Sequence, residues 1–563
     1  MKTNKDKRIC VGFLCASLLL GEVAQAQTQY DAARFSESDL NGTARFVGMG
    51  GAMGALGGDI STIGTNPAGI ALFRRNEITG SFSLNASEVN TDMAGVTAKD
   101  DRTRLSFDQM GVVFSNKISN EMTLRYFNLG VNYSKKRNFN KAMTMYGDLM
   151  GLSLTDQIAW MGNTDPSGRY NPLPLDDYYQ IYDDLSGNYY GDNWSDLSWL
   201  GVLGIQGGLI GPDEGTDPVG GDPLVDADGN PITNEAGQPL YVYEHYIGMP
   251  GYEAEYRSRE TGGVNVFDFN LSANLNDRVY LGFTLGFYDV NYERSSSYSE
   301  VGEFLGQDTY YTLSNAFLTE GTGVDAKFGL IVRPIEESAF RFGVAIHTPT
   351  YYKLSDRHSA SLTSSLDDYR GRTDIAMLDY ELLTPWKFNL SLGHTIGTSI
   401  ALGAEYEYAD YSSAELRYDD AEEMKEENEW INEDLKGVHT FRVGLEAKLV
   451  PEFSLRAGYN YSTAAFEEKA YKWLYPNSTR TDTEYENTFG RNIFTVGMGY
   501  RIGQFSIDAA YQYMHQKGEF YPYDSQYSYD AGVEYPTTAN GLLPATEVKN
   551  ERNQFLLTLG YRF

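Results

Sequence analysis

From about residue 76 onward the chain repeats one pattern: apolar side chains at every second position, with small or polar residues between them. Phe127, Leu129, Val131 and Tyr133 alternate with Asn128, Gly130, Asn132 and Ser134. Leu281, Phe283, Leu285 and Phe287 alternate with Gly282, Thr284 and Gly286, and Phe82 with Leu84, or Phe340 to Ile346, keep the same period. A period of two gives an extended strand one apolar and one polar face. A polytopic helical membrane protein is excluded, because it needs apolar runs of about 18 residues or more and the chain has none. Mean hydropathy is only −0.42, as expected when half of each strand is polar.

A soluble sandwich alternates in the same way, so the turns decide between the two. Very short polar links join several strand pairs: Asn274 to Asp277, Pro334 to Ser338, Gly397-Thr398, Val450-Pro451 and Gly503. Longer segments join the opposite ends. The pattern predicts strands near 76–90, 102–115, 122–137, 263–273, 278–294, 322–333, 339–354, 376–396, 399–413, 439–449, 452–466, 490–501, 504–516 and 553–563. Fourteen strands with short turns on one side and long loops on the other describe an all-β, antiparallel transmembrane barrel. Pro385 predicts a bulge or break in the eighth strand. The last strand carries Phe555, Leu557, Leu559, Tyr561 and the terminal Phe563 on one face. A terminal aromatic of this kind resembles the signal read by the barrel-assembly machinery of outer membranes.

Residues 1–26 read as an export signal. Lys2, Lys5, Lys7 and Arg8 precede a short apolar run from Ile9 to Gly21, and Ala24 and Ala26 supply a cleavage site. Both cysteines, Cys10 and Cys15, lie in this segment, so the mature chain is expected to hold no disulfide, thiolate ligand or thiol nucleophile.

The formal net charge of −32 argues against nucleic-acid partners, which need clustered Lys and Arg. Most of it falls in two predicted outer loops: 138–262 carries 20 acidic and 4 basic residues, and 414–438 carries 10 and 3. Asp226-Ala-Asp228-Gly-Asn230 is a candidate calcium loop, but Pro231 stands where such a loop needs its glycine, so a turn is the simpler reading. Loop 138–262 also holds Leu149, Leu154, Ile158 and Trp160 at helical spacing, then Trp194, Trp199 and Leu200. These residues are either a ligand-capturing surface or the loop's own small core. The six histidines are scattered and no GxSxG, HExxH or P-loop signature is present, so neither catalysis nor a metal or other cofactor is expected. Two readings remain: a channel for hydrophobic molecules, or a receptor or adhesin barrel, haem-binding included, acting through loop 138–262.

The segment from Gly42 to Gly69, Gly-Thr-Ala-Arg-Phe-Val-Gly-Met-Gly-Gly-Ala-Met-Gly-Ala-Leu-Gly-Gly-Asp-Ile-Ser-Thr-Ile-Gly-Thr-Asn66-Pro67-Ala68-Gly69, resembles the start of the FadL/TodX family of outer-membrane transporters for long-chain fatty acids and hydrophobic compounds. The resemblance implies a monomeric barrel, here 76–563, plugged by an N-terminal hatch at about 27–75. It also implies facilitated diffusion: capture in an outer groove, passage beside the hatch and lateral release at a kinked third strand, amid outer-membrane lipid and lipopolysaccharide. By this resemblance Asn66, Pro67 and Ala68 belong to the hatch, and Gly130 is the weak point of the third strand.

Overall fold

The computed structural model describes residues 27–563 apart from 120, 166–172, 184–196, 213–224, 226–228, 234–236, 238, 240–242, 246–252, 305–306 and 526–542. The export segment, Trp194, Asp226 and Asp228 therefore lie outside the described residues.

Fourteen antiparallel strands close into a barrel. They are β1 (Glu77–Met93), β2 (Val96–Lys117), β3 (Leu124–Asn138, resuming as Lys141–Gly147), β4 (Glu253–Leu275), β5 (Val279–Phe304), β6 (Gln307–Val332) and β7 (Arg341–His347 with Tyr351–Ser364). The second half holds β8 (Ala376–Leu383 with Lys387–Ile396), β9 (Ile400–Asp410 with Glu415–Tyr418), β10 (Gly437–Val450), β11 (Phe453–Ser462), β12 (Tyr485–Ile502), β13 (Phe505–Tyr521) and β14 (Thr546–Arg562). Each strand pairs with the next along at least part of its length, and β14 returns to β1 from Glu77↔Arg562 to Asp92↔Glu547, so the sheet closes on itself. The alternation sorts as expected. Phe82, Phe127, Leu129, Phe269 and Leu557 are exposed on the outer wall, while Ser81, Asn128, Asn270, Thr284 and Gln554 are buried inside. The lumen is polar.

Two predicted outer loops prove to be hairpins. β1 and β2 meet at Ala94-Gly95, with φ of 52° and 94°, a turn whose twist matches its flanking strands. β5 and β6 remain paired to Phe304↔Gln307, so the expected loop at 295–321 is strand. These extensions carry Asp289, Asn291, Glu293 and Ser295 where the lower strand carries Phe and Leu. Their outer face thus meets water, and a search for apolar alternation stops too early. The large loop shrinks to 148–252 for the same reason. Pro385 does break β8, and Pro349 breaks β7 at the same level. The two gaps bond to each other through Thr384 N to Thr350 O (3.1 Å) and Thr350 N to Thr384 Oγ1 (2.9 Å).

Residues 27–73 lie inside the barrel as α1 (Gln29–Ser36), α2 (Ala44–Gly48) and two 3-10 turns, Ile60–Gly64 and Pro67–Leu72. Outside it, α3 (Leu154–Gly162), α4 (Leu175–Asp183) and α5 (Trp199–Gln206) build a module on the rim, and α6 (Lys425–Asp434) lies on the opposite loop. Glu300 anchors the module: it is buried and accepts from Ser153 Oγ (2.6 Å), Leu154 N (2.8 Å) and Tyr298 Oη (2.5 Å). A carboxylate facing the N-terminus of α3 meets the helix dipole and one of its unpaired amides at once.

Candidate transport path

The lower plug is seated by polar contacts. Asn66 caps the 3-10 turn, its Oδ1 accepting from Ala68 N at 3.1 Å, and its Nδ2 donates to Leu330 O (3.3 Å) in the wall. Asn270 Nδ2 donates to Pro67 O at 3.3 Å. Wall glycines let the two backbones touch. A Cβ at Gly282 would lie 2.3 Å from Ala68 N, and one at Gly329 would lie 2.2 Å from Asn66 Oδ1. At a similar height, Arg45 holds Glu446 through two bonds of 2.9 and 3.0 Å, and Arg456 links Glu446 (2.7 Å) to Asp508 (2.6 Å). A chain of paired charges thus bars a straight apolar route through the plug.

A chamber of about 140 Å³ opens above this barrier. Its wall includes Lys135, Lys136 and Lys387, each met by a neutral oxygen: Ser106 Oγ (2.9 Å), Tyr288 Oη (3.0 Å) and Ser36 O (3.1 Å). Lys327, by contrast, bridges Asp268 and Asp325 at 2.9 Å each. A second cavity of about 180 Å³ shares Glu37, Thr488 and Gln516 with the first, and Tyr30, Phe139, Tyr256, Tyr292 and Phe466 supply its aromatic walls. Its roof is the 463–484 loop. There Arg480 pairs with Asp482 (2.5 Å) and with Asp31 of α1 (3.3 Å), all three buried.

The wall itself is interrupted beside the chamber. β2 and β3 pair from Lys117↔Tyr126 only as far as Gln109↔Ser134. A register shift against β1 sends both Asp108 and Gln109 inward, and a shift between Lys135 and Arg137 against β4 does the same for Lys136 and Arg137. Bulges of this kind bend a strand and end its pairing. Buried backbone groups still need partners, and the plug supplies them. Asp39 N donates to Lys136 O (2.8 Å), Asn138 N donates to Asp39 Oδ2 (3.0 Å), and Asn41 Nδ2 donates to Lys135 O (3.1 Å) and Asp108 Oδ1 (3.2 Å). Residues 39–41 therefore occupy the place that a β2 backbone would fill. Asp39 is fixed in turn by Arg552 (3.0 Å) and Arg491 (3.4 Å).

Residues 250–551, more than half of the chain, match the profile of the outer membrane protein transport family that includes OMPP1, FadL and TodX. The chain belongs to that family. It is an outer-membrane β-barrel of the FadL/TodX type, and the family is one of transport channels rather than enzymes. A FadL homologue of Pseudomonas aeruginosa is 13% identical, aligned over 94% of this chain and 100% of its own, with a TM-score of 0.49. The Pseudomonas putida toluene transporter TodX is 10% identical over 94% and 100%, with a TM-score of 0.43. The Ralstonia pickettii toluene transporter TbuX is 11% identical over 93% and 99%, with a TM-score of 0.44. A search of curated protein sequences gave no match. Membership rests on the sequence match.

In this FadL/TodX-type barrel the residues singled out from sequence divide into three groups. Asn66, Pro67 and Ala68 sit together at the foot of the plug. Gly130 abuts the same region, with its Cβ position 3.4 Å from Ile63 Cδ1. It is not a kink, however: it is regularly paired to Val113 and Asn270, and the irregularity lies higher, at Lys135–Asn140. Leu149, Leu154, Ile158 and Leu200 are buried in a core that the rim module shares with the upper strands, and Trp199 is buried against His358 (5.9 Å), rather than lining an open groove. Trp160 is the exception. It is only partly buried, and its ring meets Trp473 at 5.1 Å; Trp430 lies 6.3 Å beyond and packs on Tyr475 at 5.1 Å. Three segments far apart in sequence thus bring half of the chain's 6 tryptophans into one row. Nothing local to Trp430 or Trp473 signals this.

α6, which carries Trp430, is seated by an ionisable group. Glu427 is buried, with neither oxygen bonded to another residue, and burial, helped by Glu426, pushes its carboxyl up to about 7 from an ordinary 4.5. The folded value exceeds the unfolded one, so the seat of α6 is strongest at low pH and weakens as pH rises from about 4.5 through about 7. Trp430 fluorescence is expected to report this loosening between pH 5 and 8, and Glu427→Gln to flatten it. A profile unchanged by the substitution refutes the assignment.

Proposed function

We propose that this barrel is a channel for facilitated diffusion of hydrophobic molecules that carry an anionic end, long-chain fatty acids among them. The observation that carries the reading is the lysine-lined chamber beside an unpaired wall seam. An ammonium whose hydrogen bonds go only to hydroxyl or carbonyl oxygens has no carboxylate in direct contact, although acidic residues share the chamber. A ligand carboxylate supplies that contact with a charge-assisted hydrogen bond. The aromatic residues in the mixed, partly charged lining of the cavity above take part of the tail, removing apolar area from water at roughly 25 cal/mol per Å².

In this reading residues 1–26 leave as a signal peptide, 27–75 act as the hatch, and the barrel is inserted as a monomer by the assembly machinery through Phe563. The tryptophan row offers the first apolar surface. The buried module residues take part in capture only if α3 and α5 separate. The ligand passes under the 463–484 loop to the chamber. Withdrawal of residues 39–41 then frees the seam, through which the ligand leaves sideways, because the Arg45–Glu446–Arg456–Asp508 chain disfavours the axial route. No energy source is required beyond the gradient and a hatch with two states of similar free energy.

Lys136→Gln combined with Lys387→Gln tests the ligand class. Binding of a long-chain carboxylate is expected to weaken at least tenfold, about 1.4 kcal/mol, while a neutral hydrocarbon of similar length binds as before. Equal losses for both ligands, or none for the carboxylate, overturn the anionic reading.

A further inference from the structure

Above the last β2–β3 pair, the β1–β2 hairpin has no backbone pairing with its neighbour and laps over it, held by side chains. Thr91 Oγ1 donates to Thr144 O at 2.6 Å, and Arg102 Nη1 donates to Glu260 O at 2.7 Å. This lap collects cations. Arg102 and Arg104 stand two residues apart on the same face of β2, and Arg102 lies within electrostatic reach of both Arg104 and Arg259. Among the described residues none of the three is within ion-pair distance of a carboxylate, whereas Arg257 nearby is paired with Glu255. Arg102 Nη2 is buried without a hydrogen-bond partner; Arg104 and Arg259 are exposed. The buried, unpartnered Nη2 of Arg102 beside two exposed guanidinium groups leaves donors and positive charge that an anion can take.

Their height indicates what that is. Phe82, Phe107, Tyr133 and Phe267 form a continuous row on the outer wall, with centroid separations of 5.2, 5.4 and 5.2 Å. Such aromatic rows mark the membrane–water interface of outer-membrane barrels. Arg104 lies three residues beyond Phe107, about 10 Å along the strand, at the level of lipid headgroups. It is on the opposite face of β2, the face of Ser106, and is reached from the lip of the seam rather than from the aromatic face. Arginine forks match phosphate in geometry as well as in charge. We infer that Arg102, Arg104 and Arg259 form a binding site for the phosphate group of an outer-leaflet glycolipid, held at the lip of the wall seam. The inference rests on the lap and the aromatic row and does not depend on the transport reading.

The test uses the full barrel, purified in detergent and observed by native mass spectrometry with lipopolysaccharide carrying or lacking its lipid-anchor phosphates. The phosphorylated form is expected to bind at least tenfold better. The Arg102→Gln, Arg104→Gln, Arg259→Gln variant is expected to lose that preference while keeping its heat-modifiable migration and its uptake of a long-chain carboxylate. Arg257→Gln serves as a control that keeps the preference. Equal retention of both lipids, or an unaltered preference in the triple variant, overturns the site. So does displacement of the lipid by millimolar inorganic phosphate, which would make free phosphate the ligand. Loss of uptake with lipid binding intact overturns it as well, since the arginines would then serve the transported molecule.

Discussion

A Ser106→Cys, Lys135→Cys variant bridged across the seam by a short, reducible thiosulfonate cross-linker is expected to lose uptake almost entirely and to recover it on reduction. The two positions face each other where backbone pairing has ended, with Lys135 Nζ and Ser106 Oγ 2.9 Å apart. The chain offers no competing thiol in the described region, since its 2 cysteines are Cys10 and Cys15. A covalent bridge fixes the separation of β2 and β3 without filling the chamber. Ligand binding should fall no further than in the Lys135→Cys single variant, which has lost one chamber ammonium, while transport stops, and this separates a blocked exit from a damaged site. The singly substituted proteins, treated with the same reagent, should still transport, Ser106→Cys at the parent rate and Lys135→Cys less only by the loss of one chamber ammonium. Undiminished uptake by the bridged protein would place the exit elsewhere and leave the plug as the only remaining barrier.

The parts of this path differ in how far sequence exposes them. The barrel was legible because lipid on one side and a polar lumen on the other impose a strict period of two on every crossing strand. The same logic hid the extended hairpins: above the membrane both faces of β5 and β6 meet polar surroundings, so the period disappears while the hydrogen bonds continue. Asn66-Pro67-Ala68 was legible only through its resemblance to the family's opening segment; that it forms a capped 3-10 turn pressed against wall glycines was not. Nor was the seam. A search for a weak point in the third strand settles on Gly130, the residue of greatest backbone freedom, yet the interruption arises from two facing bulges at Asp108 and Lys136. Bulges are set by pairing register between strands, which a single strand's composition does not encode. The loop residues from Leu149 to Leu200 show the converse. Their helical spacing was correctly apolar, but spacing alone cannot distinguish a core from a groove, and their burial identifies a core. The tryptophan row and the lysine chamber were illegible for a simpler reason: each is assembled from elements more than 100 residues apart.

Replacing Gly282 and Gly329 together by alanine is expected to convert the closed barrel into a leaky one. Each new Cβ would lie within 2.3 Å of the Asn66–Ala68 segment, well inside van der Waals contact. At Gly282 the obstacle is the Pro67–Ala68 backbone; at Gly329 it is Asn66 Oδ1, with Ala68 N and Pro67 Cδ close behind at 2.8 Å. The wall can accept the change, since both glycines sit in regular pairs, Gly282↔Gly329 and Gly282↔Ser272, in extended backbone. The plug cannot. Its 3-10 turn must lift, losing the bonds of Asn66 to the wall and of Asn270 to Pro67 O, at roughly 1 kcal/mol each. Planar-bilayer recordings should then show steady ion conductance where the parent protein shows none, and outer membranes should admit dyes too large for ordinary porins. Asn66→Ala, which removes one cap without adding a clash, should lower uptake by loosening the hatch while giving at most brief openings. A double alanine variant that stays sealed would show that the upper contacts of residues 37–41 hold the plug by themselves, and the seat at the foot would lose its role.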